Sequence, residues 1–338
     1  LLDRLRSRGF QVYQDEVFEE ALYFVVEGPY TVREYGKEVI ADKEAAESVM
    51  LGADLYAPGV AKCDDTIEPG DEILIRSPVL LPIARGIARM SCRKALKLRR
   101  GLFVEVTEAV FSAPKLRELP EFREGLFYPQ SLPAIATTRV LDPQPGETIA
   151  DMCAAPGGKT GHIVELVRGN ARIYAFDHSK RKIAKMKAEL ARLGHTKYVN
   201  LAQADSRYLH VDYPSLKADK VLLDPPCTAL GVRPKVVDEK SFEDVINAAA
   251  YQEQFLRTAS RILKRGGVLV YSTCTVTHEE NELLIERVAT RYCLELVDTE
   301  LVLGSRGSLG TYRELYTRFH PHIHDAPGYF IAKMVKKC

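Results

Sequence analysis

From Thr148 onward the chain alternates short apolar, β-branched runs with longer stretches whose apolar positions recur at helical spacing. The runs TIADMCAA, ARIYAFD, VNLAQAD, KVLLDPP and GVLVYSTC predict strands. Between them, KRKIAKMKAELARLG (180–194) and FEDVINAAAYQEQFLRTASRILKRGG (242–267) predict amphipathic helices. Apolar strands separated by helices imply right-handed crossovers and a mostly parallel sheet covered on both faces, an α/β fold. Ligands of such sheets sit at the carboxyl ends of the strands. Cys153, Asp177, Asp205, Asp224, Cys227 and Cys274 all fall at or just after such ends.

The first third is patterned differently. LLDRLRSRGFQVYQ predicts a short helix and a strand, and ADKEAAESVMLGADLYAPGV a helix running into a Pro-Gly turn. The short strands of IEPGDEILIRS, LPIARGIARMS and GLFVEVTEAVF follow at the spacing of a small β-barrel or pseudobarrel. SAPKLRELPEFREG (112–125) is a Pro-punctuated polar connector, which divides the chain near residues 31 and 112.

Composition narrows this picture. The 338 residues predict about two domains. A formal net charge of +1 means that any basic surface is local. One such island spans Arg85 to Arg100, with Arg89, Arg93, Lys94 and Lys97 inside it and no acid in the run. It predicts salt-dependent contact with RNA phosphates. Seven cysteines, an odd number without a CxxC pair, argue against disulfides and a zinc site and suggest a reducing cytoplasm. No apolar run is long enough to span a membrane, and no signal peptide is expected. The first residue is Leu1, as expected of numbering that begins inside a longer or processed polypeptide. His320, His322 and His324 in HPHIHD alternate, but Pro321 interrupts any strand and no acid cluster adjoins them, so no metal is expected.

Candidate chemistry starts with DMCAAPGGKTGH (151–162), a strand, a small-residue loop and a helix start. Such a loop lets the backbone approach a ligand, and the helix N-terminus adds free amides. Neither GxGxxG nor the GxxxxGK spacing is present. Asp177 is placed to bind two ribose hydroxyls and Asp205 the amine of an adenine. With Asp224, acids at three strand ends suit a ligand carrying ribose, adenine and ammonium, as S-adenosylmethionine does. Each aspartate alone would equally serve as a helix cap.

DPPC and STC each place a thiol, Cys227 and Cys274, directly after a strand. A lone free cysteine is usually a small buried apolar group. Two beside a cofactor loop suit methylation of cytosine carbon 5, where one thiolate adds to carbon 6 and the adduct must later be released.

Here the chain resembles the Nol/Nop/Sun family of RNA cytosine-5 methyltransferases, through FREGLFYPQSLPAIA, DMCAAPGGKT, FDHSKRK, DPPCTALGV, LVYSTCTVTHEEN and RFHPHIHDAPGYFIAKM. The resemblance covers nearly all of 112–338. It implies a Rossmann-like class I methyltransferase fold, with Cys274 as nucleophile and Cys227 as helper in release. It assigns Cys153, Ala154, Ala155, Pro156, Gly157, Gly158, Lys159, Asp177, Lys182, Asp205 and Asp224 to the S-adenosyl-L-methionine cofactor. Asp224 and Lys159 are also placed to hydrogen-bond the cytosine. Residues 1–30 are similar to the start of an RRM-like auxiliary domain, and 31–111 to an inserted PUA domain, an RNA-binding fold; 112–338 holds the rest of the auxiliary region and the catalytic domain. The resemblance implies a cytoplasmic, monomeric enzyme acting on the tRNA acceptor stem near the 3′ CCA end, with no DNA or membrane partner. The alternatives are an rRNA cytosine-5 methyltransferase, a non-catalytic RNA-binding assembly factor and a small-molecule methyltransferase. The last leaves the paired thiols and the PUA-like insertion unexplained.

Overall fold

The computed structural model describes residues 1–338, which form two compact units. The first comprises Leu1–Glu118 with Arg233–Glu239, and the second Leu119–Val232 with Lys240–Cys338.

In the first unit, a helix over Leu2–Ser7 precedes a two-stranded hairpin, Val12–Gln14 against Leu22–Phe24. A six-stranded sheet follows in the order Leu55–Tyr56, Leu102–Ala109, Pro82–Ala88, Glu72–Arg76, Lys37–Ala41 and Val60–Cys63. Its pairs are antiparallel except Lys37–Ala41 with Glu72–Arg76. The sheet closes around Val39, Ile73, Ile75, Ile83 and Phe103, all fully buried. Val236, from the returning segment, packs on the same core. Glu27 and Ser112 exchange both backbone hydrogen bonds, 3.0 and 2.9 Å, so the chain enters and leaves this subdomain side by side. Adjacent ends are the geometry that an inserted domain needs.

Cysteine pairing departs from expectation. Cys63 is bonded to Cys92 and Cys293 to Cys338, each with Cα atoms 5.9 Å apart. The odd count without a CxxC pair argued against disulfides, yet two are present, because the partners lie 29 and 45 residues apart and only the fold brings them together. The first bond ties strand Val60–Cys63 to the start of helix Cys92–Leu98, and in the second the Lys337 amide already bonds the Cys293 carbonyl at 3.0 Å. The three free thiols are Cys153, Cys227 and Cys274. Because the first bond closes a loop of 29 residues, chain entropy gives it roughly 3–4 kcal/mol of stabilisation. Thermal unfolding of Cys63→Ser should therefore begin at lower temperature than wild type; an unchanged transition would show that the bond contributes nothing to folding.

In the second unit, nine strands form one sheet, ordered Val199–Gln203, Arg172–Asp177, Thr148–Asp151, Ala218–Leu223, Leu263–Thr273, Tyr329–Lys336, Thr317–Phe319 and Ser305–Arg306, with Leu294–Val297 also paired to Tyr329–Lys336. The first five are parallel, and Tyr329–Lys336 runs against its neighbours. All five predicted parallel strands are present, as are helices Lys180–Arg192 and Phe242–Ile262. Strand order reverses at Thr148–Asp151, where an open α/β sheet forms its ligand crevice. The 112–125 connector contains two short helical turns, Leu116–Glu118 and Pro120–Arg123. Arg192 lies 3.7 Å over the Phe122 ring and donates to the Phe122 and Phe127 carbonyls, which binds this segment to helix Lys180–Arg192.

Candidate active site

One cleft at the carboxyl ends of the parallel strands collects the predicted residues. Cys153, Ala155, Asp177, Lys182, Asp205, Asp224, Cys227 and Cys274 line it, together with Met152, His178, Ser206, Pro225, Pro226, Ala229, Tyr251 and Phe255.

The glycine loop reaches the cleft through Cys153 and Ala155, and through Lys159 on Asp224. Ala154 is buried and bonds the Phe176 carbonyl, and Ala154, Pro156, Gly157, Gly158 and Lys159 are not among the lining residues. Gly157 caps helix Gly158–Leu166 at φ +109°, a conformation that favours glycine. A Cβ on Gly158 would lie 2.6 Å from the Tyr128 ring. Here the small residue admits an aromatic side chain of its own chain.

The carboxylates are held in defined orientations. Asp177 Oδ1 accepts the Ser179 amide at 2.9 Å, which leaves Oδ2 for a ligand hydroxyl. Arg207 grips both oxygens of Asp205, and its hydrogen bonds hold that carboxyl below the usual range. Each Asp205 oxygen receives two hydrogen bonds from Arg207, so a ligand amine would share this carboxylate with the guanidinium. Asp224 accepts Lys159 Nζ at 2.5 Å on Oδ2, and Ser272 Oγ at 3.2 Å and Tyr329 Oη at 3.4 Å on Oδ1. Burial alone would push the Lys159 ammonium down, but the adjoining Asp224 carboxylate and Tyr329 together outweigh it and hold the ammonium above its ordinary value. Burial raises the Tyr329 phenol. Three acids face one cleft, Asp205 paired with Arg207 and Asp224 with Lys159, and all three present acceptor oxygens to the hydroxyls and amines of a ligand. The acceptor set therefore fits S-adenosylmethionine.

The two thiols stand 3.4 Å apart, sulfur to sulfur. Their shared hydrogen bond has opposite consequences, holding Cys274 below the ordinary thiol range and Cys227 well above it. Burial raises both, whereas the Lys159 ammonium lowers Cys274. The pair thus favours a Cys274 thiolate receiving a hydrogen bond from a Cys227 thiol.

The basic island is smaller than its sequence suggested. Arg85 is buried, 3.2 Å from Glu108, 3.4 Å from Glu72 and stacked on Tyr35. Arg89 Nε bonds Glu105 at 2.6 Å, and Arg99 donates to the Val60 carbonyl. These acids come from neighbouring strands, so a run without acids is not a run without counter-charges. Arg93, Lys94 and Lys97 remain exposed on helix Cys92–Leu98. His320, His322 and His324 lie on and beside a short helix, Pro321–His324, not on a strand face.

Comparison with known proteins defines the family. The 16S rRNA methyltransferase RsmB/F family matches residues 138–335, and the PUA domain family matches 37–110. The chain belongs to the RsmB/F methyltransferase family. It is 46% identical over 341 residues to a tRNA (cytosine(72)-C(5))-methyltransferase of Pyrococcus horikoshii, covering 99% of this chain and 85% of that protein. It is 30% identical to the human tRNA (cytosine(72)-C(5))-methyltransferase NSUN6, over 92% and 72% of the two chains. The crystal structure of NSun6 from P. horikoshii with SFG, an S-adenosylmethionine analogue, superposes with a TM-score of 0.91 at 45% identity, covering 99% of this chain and 86% of that one. The expected methyltransferase fold and PUA domain are thus both shown.

Residues that the sequence did not single out complete the site. Ser272 and Tyr329 fix Asp224, and a buried group of Thr228, Gln252, Tyr271, Thr275, Glu280 and Asn281 surrounds the two cysteine loops. Ser272, Thr275, Glu280 and Asn281 lie in LVYSTCTVTHEEN, but their role depends on partners up to 57 residues away.

Proposed function

We propose that this protein is an S-adenosylmethionine-dependent tRNA (cytosine-5) methyltransferase acting in the acceptor stem near the 3′ CCA end. The observation that carries the chemistry is the pair of thiols, 3.4 Å apart, lining the same cleft as the three carboxylates. The tRNA target is supported by relatives that match nearly the whole chain, the PUA domain included.

When bound, the cofactor supplies a methyl group on a positively charged sulfur, which departs as a neutral thioether. Cys274 thiolate forms a bond to cytosine carbon 6, and carbon 5 becomes electron-rich enough to take that methyl. A hydrogen bond from the Asp224–Lys159 pair to the ring draws charge from carbon 6 and helps the addition. The proton of carbon 5 then leaves, and its electron pair forms the carbon 5–carbon 6 double bond as the carbon–sulfur bond breaks and returns Cys274 as thiolate. Cys227, 3.4 Å from Cys274, assists this last step. The largest influence holding it protonated is its hydrogen bond to Cys274. Attack converts Cys274 to a thioether and removes that influence, so Cys227 gives its proton to solvent and, as thiolate, takes the proton of carbon 5.

The test is bisulfite sequencing of unmodified tRNA incubated with protein and S-adenosylmethionine. One acceptor-stem cytosine should become protected, and removing the CCA end should greatly slow that protection. Neutralising Arg93, Lys94 and Lys97 should weaken RNA binding and reduce its salt slope by about 2, with cofactor affinity unchanged. Equal rates on trimmed and intact tRNA would overturn the 3′-end reading, and methylation of rRNA fragments but not tRNA would overturn the substrate.

A further inference from the structure

Glu280 and Asn281 are consecutive and fully buried at the start of helix Glu282–Arg291. Their chemistry is unusual for this place. Asparagine at a helix N-cap ordinarily accepts an amide of the first turn. Asn281 is the N-cap here, yet its side chain caps nothing. Its Oδ1 accepts the Thr273 hydroxyl at 2.6 Å and its Nδ2 donates to the Thr275 carbonyl at 3.2 Å. It therefore holds the residues on both sides of Cys274.

Glu280 does the same for the other thiol. Its carboxylate accepts the Thr228 amide at 3.0 Å, the Thr228 hydroxyl and Gln252 Nε2 at 2.7 Å. Gln252 in turn donates to the Pro226 carbonyl at 3.0 Å. The peptide groups before and after Cys227 are thus both fixed, one through Gln252 and one by Glu280 directly. The Thr277 hydroxyl completes the set at 3.0 Å, so every group reaching this carboxylate is a donor. A buried carboxylate satisfied only by neutral donors is costly to maintain, and a fold needing only an apolar core here would do better without it.

We propose that Glu280 and Asn281 are positioning residues that set the two thiols separately, Glu280 the Cys227 loop and Asn281 the Cys274 loop. The inference rests on the reading that Cys274 attacks and Cys227 assists release. Neither residue touches the cytosine; each acts through the backbone or side chains beside a sulfur. Because reacting atoms must be placed to within about 1 Å, a shift of either loop should cost about 100-fold in the step its thiol performs.

The consequence is an asymmetry that general destabilisation would not produce. Glu280→Gln should form the covalent protein–RNA adduct at close to the wild-type rate and release it slowly, so that adduct accumulates on denaturing gels as in Cys227→Ala. Asn281→Ala should form little adduct, as in Cys274→Ala. Two near-isosteric variants repeat the test should either of these fail to fold: Gln252→Met should behave as Glu280→Gln, and Thr273→Val as Asn281→Ala. Single-turnover adduct formation and decay are measured beside the two cysteine variants, with thermal unfolding as the check on folding. If folded Glu280 and Asn281 variants lost attack and release in equal proportion, or Glu280→Gln released product at the wild-type rate, the division of roles would be overturned while the thiol assignment stood. If the cysteine variants themselves lacked their expected phenotypes, the thiol reading would fall and this inference with it.

Discussion

Cys274→Ala should abolish methyl transfer and leave no covalent RNA adduct, a loss of roughly 10⁴-fold or more by analogy with other removed nucleophiles. Cys227→Ala should behave in the opposite sense, capturing RNA and failing to let it go. The hydrogen bond between the sulfurs adds a pH signature. A bond donated to Cys274 stabilises its thiolate and holds it below the ordinary thiol range. Removing the donor raises the Cys274 pKa, so the acidic limb of adduct formation should move to higher pH in Cys227→Ala. Gel analysis of adducts and single-turnover rates across pH measure both effects. Normal turnover by Cys227→Ala, with adducts still formed by Cys274→Ala, would reverse the roles of the two thiols.

The parallel sheet was legible because its strands are local apolar runs, and the cleft because carboxyl ends of parallel strands converge whatever the details. Asp177, Asp205, Asp224, Cys227 and Cys274 could be placed on that rule alone. What stayed hidden depends on partners remote in sequence. Arg85 belonged to the basic run until the sheet set Glu72 and Glu108 across from it. Cys63 and Cys92 gave no spacing signal, since a disulfide needs only that two Cα atoms come within reach. The close approach of Tyr128 to Gly158 was not legible either, because the two lie thirty residues apart in sequence. Glu280 finds Thr228 and Gln252 on elements remote in sequence, so only the return of the Cys227 loop shows what it holds.

Lys159→Met and Asp224→Asn should each slow methylation, yet shift its pH dependence in opposite directions. The two side chains form a largely buried pair, 2.5 Å apart, beside the thiols. The Lys159 ammonium lowers the Cys274 pKa and the Asp224 carboxylate raises it. Without the ammonium, the thiolate is less stable and the acidic limb of the rate profile moves to higher pH. Without the carboxylate charge, the thiolate is more stable and the limb moves lower. At the plateau both variants should lose about 10²–10³-fold, because the pair also places a hydrogen bond on the cytosine ring where charge develops. Asp224→Asn should cost more in rate than in cofactor affinity, as calorimetry and single-turnover kinetics can show. Equal losses would confine Asp224 to the cofactor. The double variant is the decisive arm: with both charges gone, the acidic limb should return towards its wild-type position while the plateau stays low. Shifts of the same sign in the two single variants would mean that this ion pair does not set the reactivity of Cys274.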